Sequence, residues 1–212
     1  MENKIVQKSE DFVRQLFKEK LSKDFLFHDL SHTRSVEYFS RLLGQQNDNC
    51  SPDDLEILAI AAWFHDTGYT QLYTGHEAAS SRIAKDFLAK QNYPKEKIKA
   101  VEECIEATRT NYVPKNKLQE IIKDADLSNL GTDTFYDLSI KLRHEWDVLC
   151  NTQYTDIEWL ENNLRFLNNH QYFTKAAKIL WKEGKKKNLK KMKDYIKAVK
   201  KTGGKEKTDK EQ

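Results

Sequence analysis

The residues of this chain that could do chemistry crowd into its first two thirds. Four of the six histidines, His28, His32, His65 and His76, lie there, and the stretch "AAWFHDTGY" sets His65 and Asp66 at the end of an apolar run. Imidazole nitrogen and carboxylate oxygen are ligands of first-row divalent metals, and a cation would compensate two groups that are costly to bury unpaired. The local alternative is that Asp66 orients His65 or caps the turn at Gly68, and these two residues by themselves do not choose.

Two further stretches bear on the choice. In "FHDLSHTRSV", His28 and His32 are four apart, and Ser31 is the expected N-cap of the next helix, which puts His32 in its first turn and His28 just ahead. One could bind a metal while the other faces a substrate. "IIKDADLSNLG" offers a further carboxylate, Asp124 or Asp126. Stepping by about 100° per residue gathers Leu118, Ile121, Ile122, Ala125 and Leu130 on one face. Asp126 lies nearer that direction than Asp124, and Asn129 lies close to its centre, so Asp126 is the expected ligand and Asn129 a supporting or substrate contact.

Helices must hold these residues. Seven glycines and three prolines are few for a chain rich in Leu, Ile, Lys and Glu, and no run alternates like a strand, so the expected fold class is all-α. Ile5, Phe12, Val13, Leu16 and Phe17 share a helical face, as do Val36, Phe39, Leu42 and Leu43. The third helix has a start signal in Ser51, Pro52 and Asp54, then runs "LEILAIAAWF", apolar on every side, as suits the centre of a bundle. Helical spacing follows after "TGHEAASS", after Pro94, after "VPKN", through Phe135 to Leu149, through Ile157 to Leu167, and along Met192, Tyr195, Ile196 and Val199. "TGGKEKTDKEQ" reads as a frayed tail. The expected organisation is a helical bundle over 1–181 and a basic helix with tail over 182–212. Trp63, Trp146, Trp159 and Trp181 fall at apolar helical positions and read as core, while His144 and His170 have no partner in the constellation.

In this order, His32, then His65-Asp66 closing an apolar helix, then Asp126 in "DADLSNLG", the chain resembles the HD superfamily of metal-dependent phosphohydrolases over roughly residues 20 to 170. It is similar to that superfamily's small stand-alone bacterial members, with their "FHDxGY", "GHE" and "DADLxNLG" stretches. The resemblance implies an HD-domain helical bundle in which His32, His65, Asp66 and Asp126 hold one divalent ion: manganese, iron, zinc, nickel or magnesium. "FHDLSH" is similar to the "YHNxxH" of cyclic-nucleotide phosphodiesterases, which implies His28 as the acid for the leaving oxygen. Asp66 would ligate through one oxygen and accept a water proton with the other. "GHEAAS" resembles a downstream His of some branches and implies that His76 contacts a phosphate or a second metal. Thr67, Gly68, Tyr69 and Thr70 stand where two-metal relatives often carry another histidine, which implies a single metal. No Glu-Asp follows the pair and no "GYP" follows it, unlike the alarmone hydrolases and one cyclic-di-GMP branch. The implied function is metal-dependent hydrolysis of a phosphate ester or anhydride of a nucleotide or related small molecule, of phosphodiesterase or nucleotidase type. The alternatives are a regulatory or binding module and a diiron HD oxygenase.

Phosphate needs cations beyond the metal. Of Arg109, Lys123, Lys141 and Arg143, the two arginines are the preferred candidates because a guanidinium grips phosphate bidentately. Tyr69 or Tyr73 could stack on a nucleobase. The net charge of +3 hides an asymmetry, since residues 182–212 hold thirteen lysines against five acids. A nucleic acid or other anionic partner could be attracted there, although a solvated basic end is the preferred reading. Cys50, Cys104 and Cys150 include no close pair and read as reduced thiols. A polar N-terminus and the lack of a long apolar run point to a cytoplasmic protein without a membrane partner. The expected partner is a small phosphorylated substrate, foremost a nucleotide, and the assembly considered is a homodimer.

Overall fold

The computed structural model describes residues 4–46 and 50–208, with side chains to residue 201. Among the described residues the regular structure is helical throughout, with no strand. No helix there is long and apolar enough to cross a membrane. The chain divides into two compact units: residues up to Ser128 with Tyr172–Ile179, and Asn129–Gln171 with the residues from Leu180 onward.

The first unit contains α1 (Lys4–Lys20), α2 (Leu30–Gln45), α3 (Pro52–Phe64), α4 (His76–Lys90), α5 (Lys95–Ala107) and α6 (Lys117–Asp126). Helix α3 is its axis, packed on α1, α2, α4, α5 and α6, and every residue from Ile57 to Phe64 is buried. Its start is a reciprocal capping box: Asp54 N–H donates to Ser51 Oγ at 3.2 Å while Ser51 N–H donates to Asp54 Oδ2 at 2.9 Å. Because α3 is apolar all round and enclosed all round, its last turn delivers whatever follows it into the interior.

Helix α2 differs from the sequence expectation at its start. The N-cap is Asp29 rather than Ser31, since Asp29 Oδ1 accepts the N–H groups of Ser31 at 2.8 Å and His32 at 2.9 Å. A carboxylate that satisfies two orphan donors outcompetes a hydroxyl two residues later. His32 still falls in the first turn.

Helix α6 also stops sooner than the helical projection assumes. Asp126 is its last residue and Leu127 its C-cap, and the chain continues as a 3₁₀ turn over Ser128–Gly131. Asn129 therefore leaves the face on which the α-helical step places it.

The second unit is built from α7 (Phe135–Leu149), α8 (Asp156–Asn169) and most of α9 (Lys175–Thr208). Trp159 lies buried in it, its Nε1–H donating to Ser139 Oγ at 3.0 Å. Trp146 is only half-buried, its ring 5.4 Å from that of Trp159. Gly131 and Gly184 allow a close approach, for a Cβ on Gly184 would overlap the Gly131 carbonyl. Helix α9 is unbroken across residues 181 and 182, where the sequence reading divides the chain, and it continues to Thr208 through most of the stretch read as a frayed tail. Extending a helix already nucleated upstream costs little per residue. Residues 209–212 lie outside the described residues.

Candidate metal centre

Three separate elements bring four ligand-type side chains to one point. His32 comes from the first turn of α2, His65 and Asp66 from the two positions after α3, and Asp126 from the end of α6. His32 Nε2 lies 3.1 Å from Asp126 Oδ1 and 3.3 Å from His65 Nε2. His65 Nε2 lies 3.1 Å from Asp66 Oδ2 and 3.6 Å from Asp126 Oδ1, and His32 Nε2 is 3.5 Å from Asp66 Oδ2. Among the described residues, His32, His65 and Asp66 form a group that could hold a metal ion.

The arrangement suits a cation better than it suits itself. His65 Nδ1 donates to the Ala62 carbonyl at 2.8 Å, which leaves Nε2 as the lone-pair nitrogen. That nitrogen meets the Nε2 of a second imidazole, a pairing that protons alone satisfy poorly. Asp66 Oδ2 is fully buried and has no hydrogen bond, although two imidazoles stand within 3.5 Å of it. Ligand atoms bound to one ion at about 2.0–2.2 Å sit roughly 3.0–3.6 Å apart, and the observed separations fall in that range. The His32, His65 and Asp66 donors therefore fit a divalent metal, with Asp126 Oδ1 beside both imidazoles.

Electrostatics says the same. Burial opposes charge on His65, yet Asp66 and Asp126 outweigh it and raise its pKa well above the ordinary imidazole value. Burial would also raise both carboxyl groups. Asp66 is instead held far below the usual range by His65, then by His28 and His32, and Asp126 by His32 and His65. The cluster draws positive charge into a buried place.

An aromatic shell encloses this centre. Tyr69, in the 3₁₀ turn Thr67–Thr70, is buried and stacks on His76 with ring centres 3.7 Å apart. Its ring centre is 4.6 Å from that of His28 and 5.0 Å from that of Phe25, while Phe27 lies 4.7 Å from His28 and 4.9 Å from His32. Phe25 and Phe27 are missed by the sequence reading, although aromatic residues alternating just ahead of His28 are a usable signal. Stacked on His76 and buried, Tyr69 offers a nucleobase little surface and instead orders the histidines beside it. His76 places Nε2 3.6 Å from Asp66 Oδ1, its Nδ1 facing the Tyr73 carbonyl at 3.2 Å. Burial holds its pKa below the ordinary value despite Asp66. Gly68 permits this approach, since a Cβ there would overlap the His76 carbonyl oxygen, and its N–H donates to Ser80 Oγ at 2.7 Å.

Asp124 is fully buried and occupied, accepting from Phe173 N–H at 2.9 Å, Thr174 N–H at 2.8 Å and Thr174 Oγ at 2.8 Å. The Lys123 ammonium is buried against the carbonyls of Ala107, Arg109 and Thr110, where it closes the end of α5 instead of waiting for phosphate. Arg109 pairs with Glu106 at 2.6 Å and is partly exposed. Arg143 and Asn129 belong to the second unit. The Arg143 guanidinium is bound to Asp156 and the Tyr154 carbonyl, and Asn129 Oδ1 is buried without a hydrogen bond. Lys141 is exposed on α7.

Residues 29–128 match the family described as HD domain. Residues 29–128 thus form an HD domain, and the match runs from the cap of α2 to Ser128, spanning His32, His65, Asp66 and Asp126. HD domains are in general metal-dependent phosphohydrolases, and the His32, His65 and Asp66 group could hold such a metal. No curated protein and no solved structure matches the chain.

Proposed function

We propose that this chain is a metal-dependent phosphohydrolase that hydrolyses a phosphate ester or anhydride of a nucleotide or a related small molecule. The observation that carries the reading is the buried, unbonded Asp66 Oδ2 facing two imidazole nitrogens, beside the carboxylate of Asp126. His32, His65, Asp66 and Asp126 hold one divalent ion in this reading. When bound, the ion supplies Lewis acidity, lowering the pKa of water and offsetting charge on phosphoryl oxygens.

The chain's own residues do the rest. Asp66 directs Oδ2 to the two imidazoles and Oδ1 toward His76, so Oδ1 is the atom placed to accept a proton from attacking water. His28, set between the rings of Phe27 and Tyr69, holds the proton for the leaving oxygen. His76 and Arg109 bind phosphate oxygens, Arg109 by exchanging its exposed pairing with Glu106.

Metal analysis of the purified chain, with activity assayed in manganese on nucleoside mono-, di- and triphosphates and cyclic nucleotides, tests the reading. One metal per chain with turnover of at least one substrate class is expected. A metal-loaded chain inactive on the whole panel overturns the hydrolase assignment. Two tightly bound ions per chain overturn the single-metal reading.

A further inference from the structure

We propose that the second unit carries a binding site of its own, a cleft between α7, α8 and α9 that takes a small amphipathic monoanion with a flat apolar body. The proposal does not rest on the hydrolase reading. The cleft holds about 400 Å³, inside the span of about 300–1,000 Å³ usual for small-molecule pockets.

Its lining divides into an apolar part and a charged part. Trp159 is buried there and locked by a chain of bonds, Nε1–H to Ser139 Oγ at 3.0 Å and Ser139 Oγ to Asn163 Oδ1 at 3.2 Å. The rim carries two large side chains facing water, Ile140 at 66% exposure and Tyr195 at 57%. Exposed apolar surface beside a concave, rigid floor marks a place where something binds.

The charges specify what. Arg143 and Lys191 line the cleft with one acid, Asp156, while a second acid outside the lining, Asp147, lies 4.0 Å from Arg143. Asp156 already sits on Arg143 at 2.8 Å, but its side chain is 82% exposed, so this ion pair contributes little and exchanges readily for a ligand's anionic group. The Tyr154 carbonyl, bonded to the other end of the guanidinium, keeps Arg143 in place during the exchange. A mostly apolar lining that offers the Lys191 ammonium and an exchangeable Arg143–Asp156 pair fits a single anionic group, a carboxylate, sulfonate or phosphate monoanion, on an aromatic or aliphatic body, and does not fit a polyphosphate.

The probe is 1-anilinonaphthalene-8-sulfonate, titrated into the full chain with and without chelator while its fluorescence and the tryptophan emission are followed. One saturable site per chain, indifferent to chelation, is expected. Lys191→Glu should weaken it about fivefold and Asp156→Asn should tighten it by about the same factor. Ile140→Asp should reduce it further than either. These positions are exposed, so the fold is retained, as far-ultraviolet circular dichroism will verify. Non-saturable binding overturns the proposal. So does a site that responds to neither charge change, or one weakened equally by Lys141→Glu, an exposed lysine of α7 outside the cleft.

Discussion

Asp124 and Asp126 stand two residues apart on α6, yet their surroundings are opposite in kind. Asp124 is fully buried and every direction of its carboxylate is answered by the chain, through two backbone N–H groups and a hydroxyl at the start of α9. Among the described residues Asp126 is answered by imidazoles, and its companion Asp66 has a buried oxygen without a hydrogen bond. A buried polar group whose partners are complete belongs to the architecture. One whose partners are incomplete, and whose neighbours are themselves ligands, points to something the chain has yet to bind. Lys123 belongs with Asp124 in this contrast, because its ammonium is fully engaged by carbonyls.

The largest separation comes from truncating each side. Asp66→Ala should abolish metal binding, taking metal content from about one per chain to none, with catalysis lost by about a thousandfold or more. Asp124→Ala should leave metal content unchanged and destabilise the fold by about 2–4 kcal/mol, since two N–H donors and a hydroxyl lose their acceptor in the interior. Elemental analysis and urea unfolding of both variants read the contrast. It collapses if Asp124→Ala sheds the metal while keeping its stability, or if Asp66→Ala keeps the metal.

Gly68→Ala probes the geometry around the centre rather than its ligands. The added methyl overlaps the His76 carbonyl, so the start of α4 must move and His76 with it. Metal content should hold while kcat falls by about a hundredfold, the order expected when a catalytic group is displaced by about an ångström. An unchanged kcat would show that His76 has no part in the reaction.

Much of this was open to reading because it is local. The capping box at Ser51, the apolar run to Phe64 and the polar pair at its end all lie within one helix, where spacing determines neighbours. Asp29 and Ser31 are both good cap residues two positions apart, and only the realised backbone selects Asp29. The helical projection that sets Asn129 on the apolar face fails because α6 ends at Asp126, where neither Gly nor Pro announces the stop. The choice of Asp126 over Asp124 rested on the facing of an apolar stripe. That stripe could not reveal that Asp124 meets Phe173 and Thr174, fifty residues further on. Arg143 shows the limit most plainly, since residue type gives the charge of a guanidinium and nothing of where it points.

The smallest effect concerns pH. His65, raised above its unfolded value near 6.5, stabilises the metal-free fold below about pH 6.5 and loses that contribution as pH rises through its higher folded pKa. Asp66 and Asp126, held low, stabilise above about pH 4 and lose their contribution as pH falls through their depressed folded values. These three groups together contribute most to the metal-free fold between those limits, while His76, whose pKa is lowered by burial, opposes them on the acidic side. Ligation runs the other way, because an ion needs neutral imidazoles and competes with their protons. The rise in Tm on adding manganese should therefore be larger at pH 8 than at pH 6, by about 3–5 °C. Asp124→Asn should preserve that difference and Asp66→Asn should erase it. Equal shifts at the two pH values would mean that the ion binds away from His65.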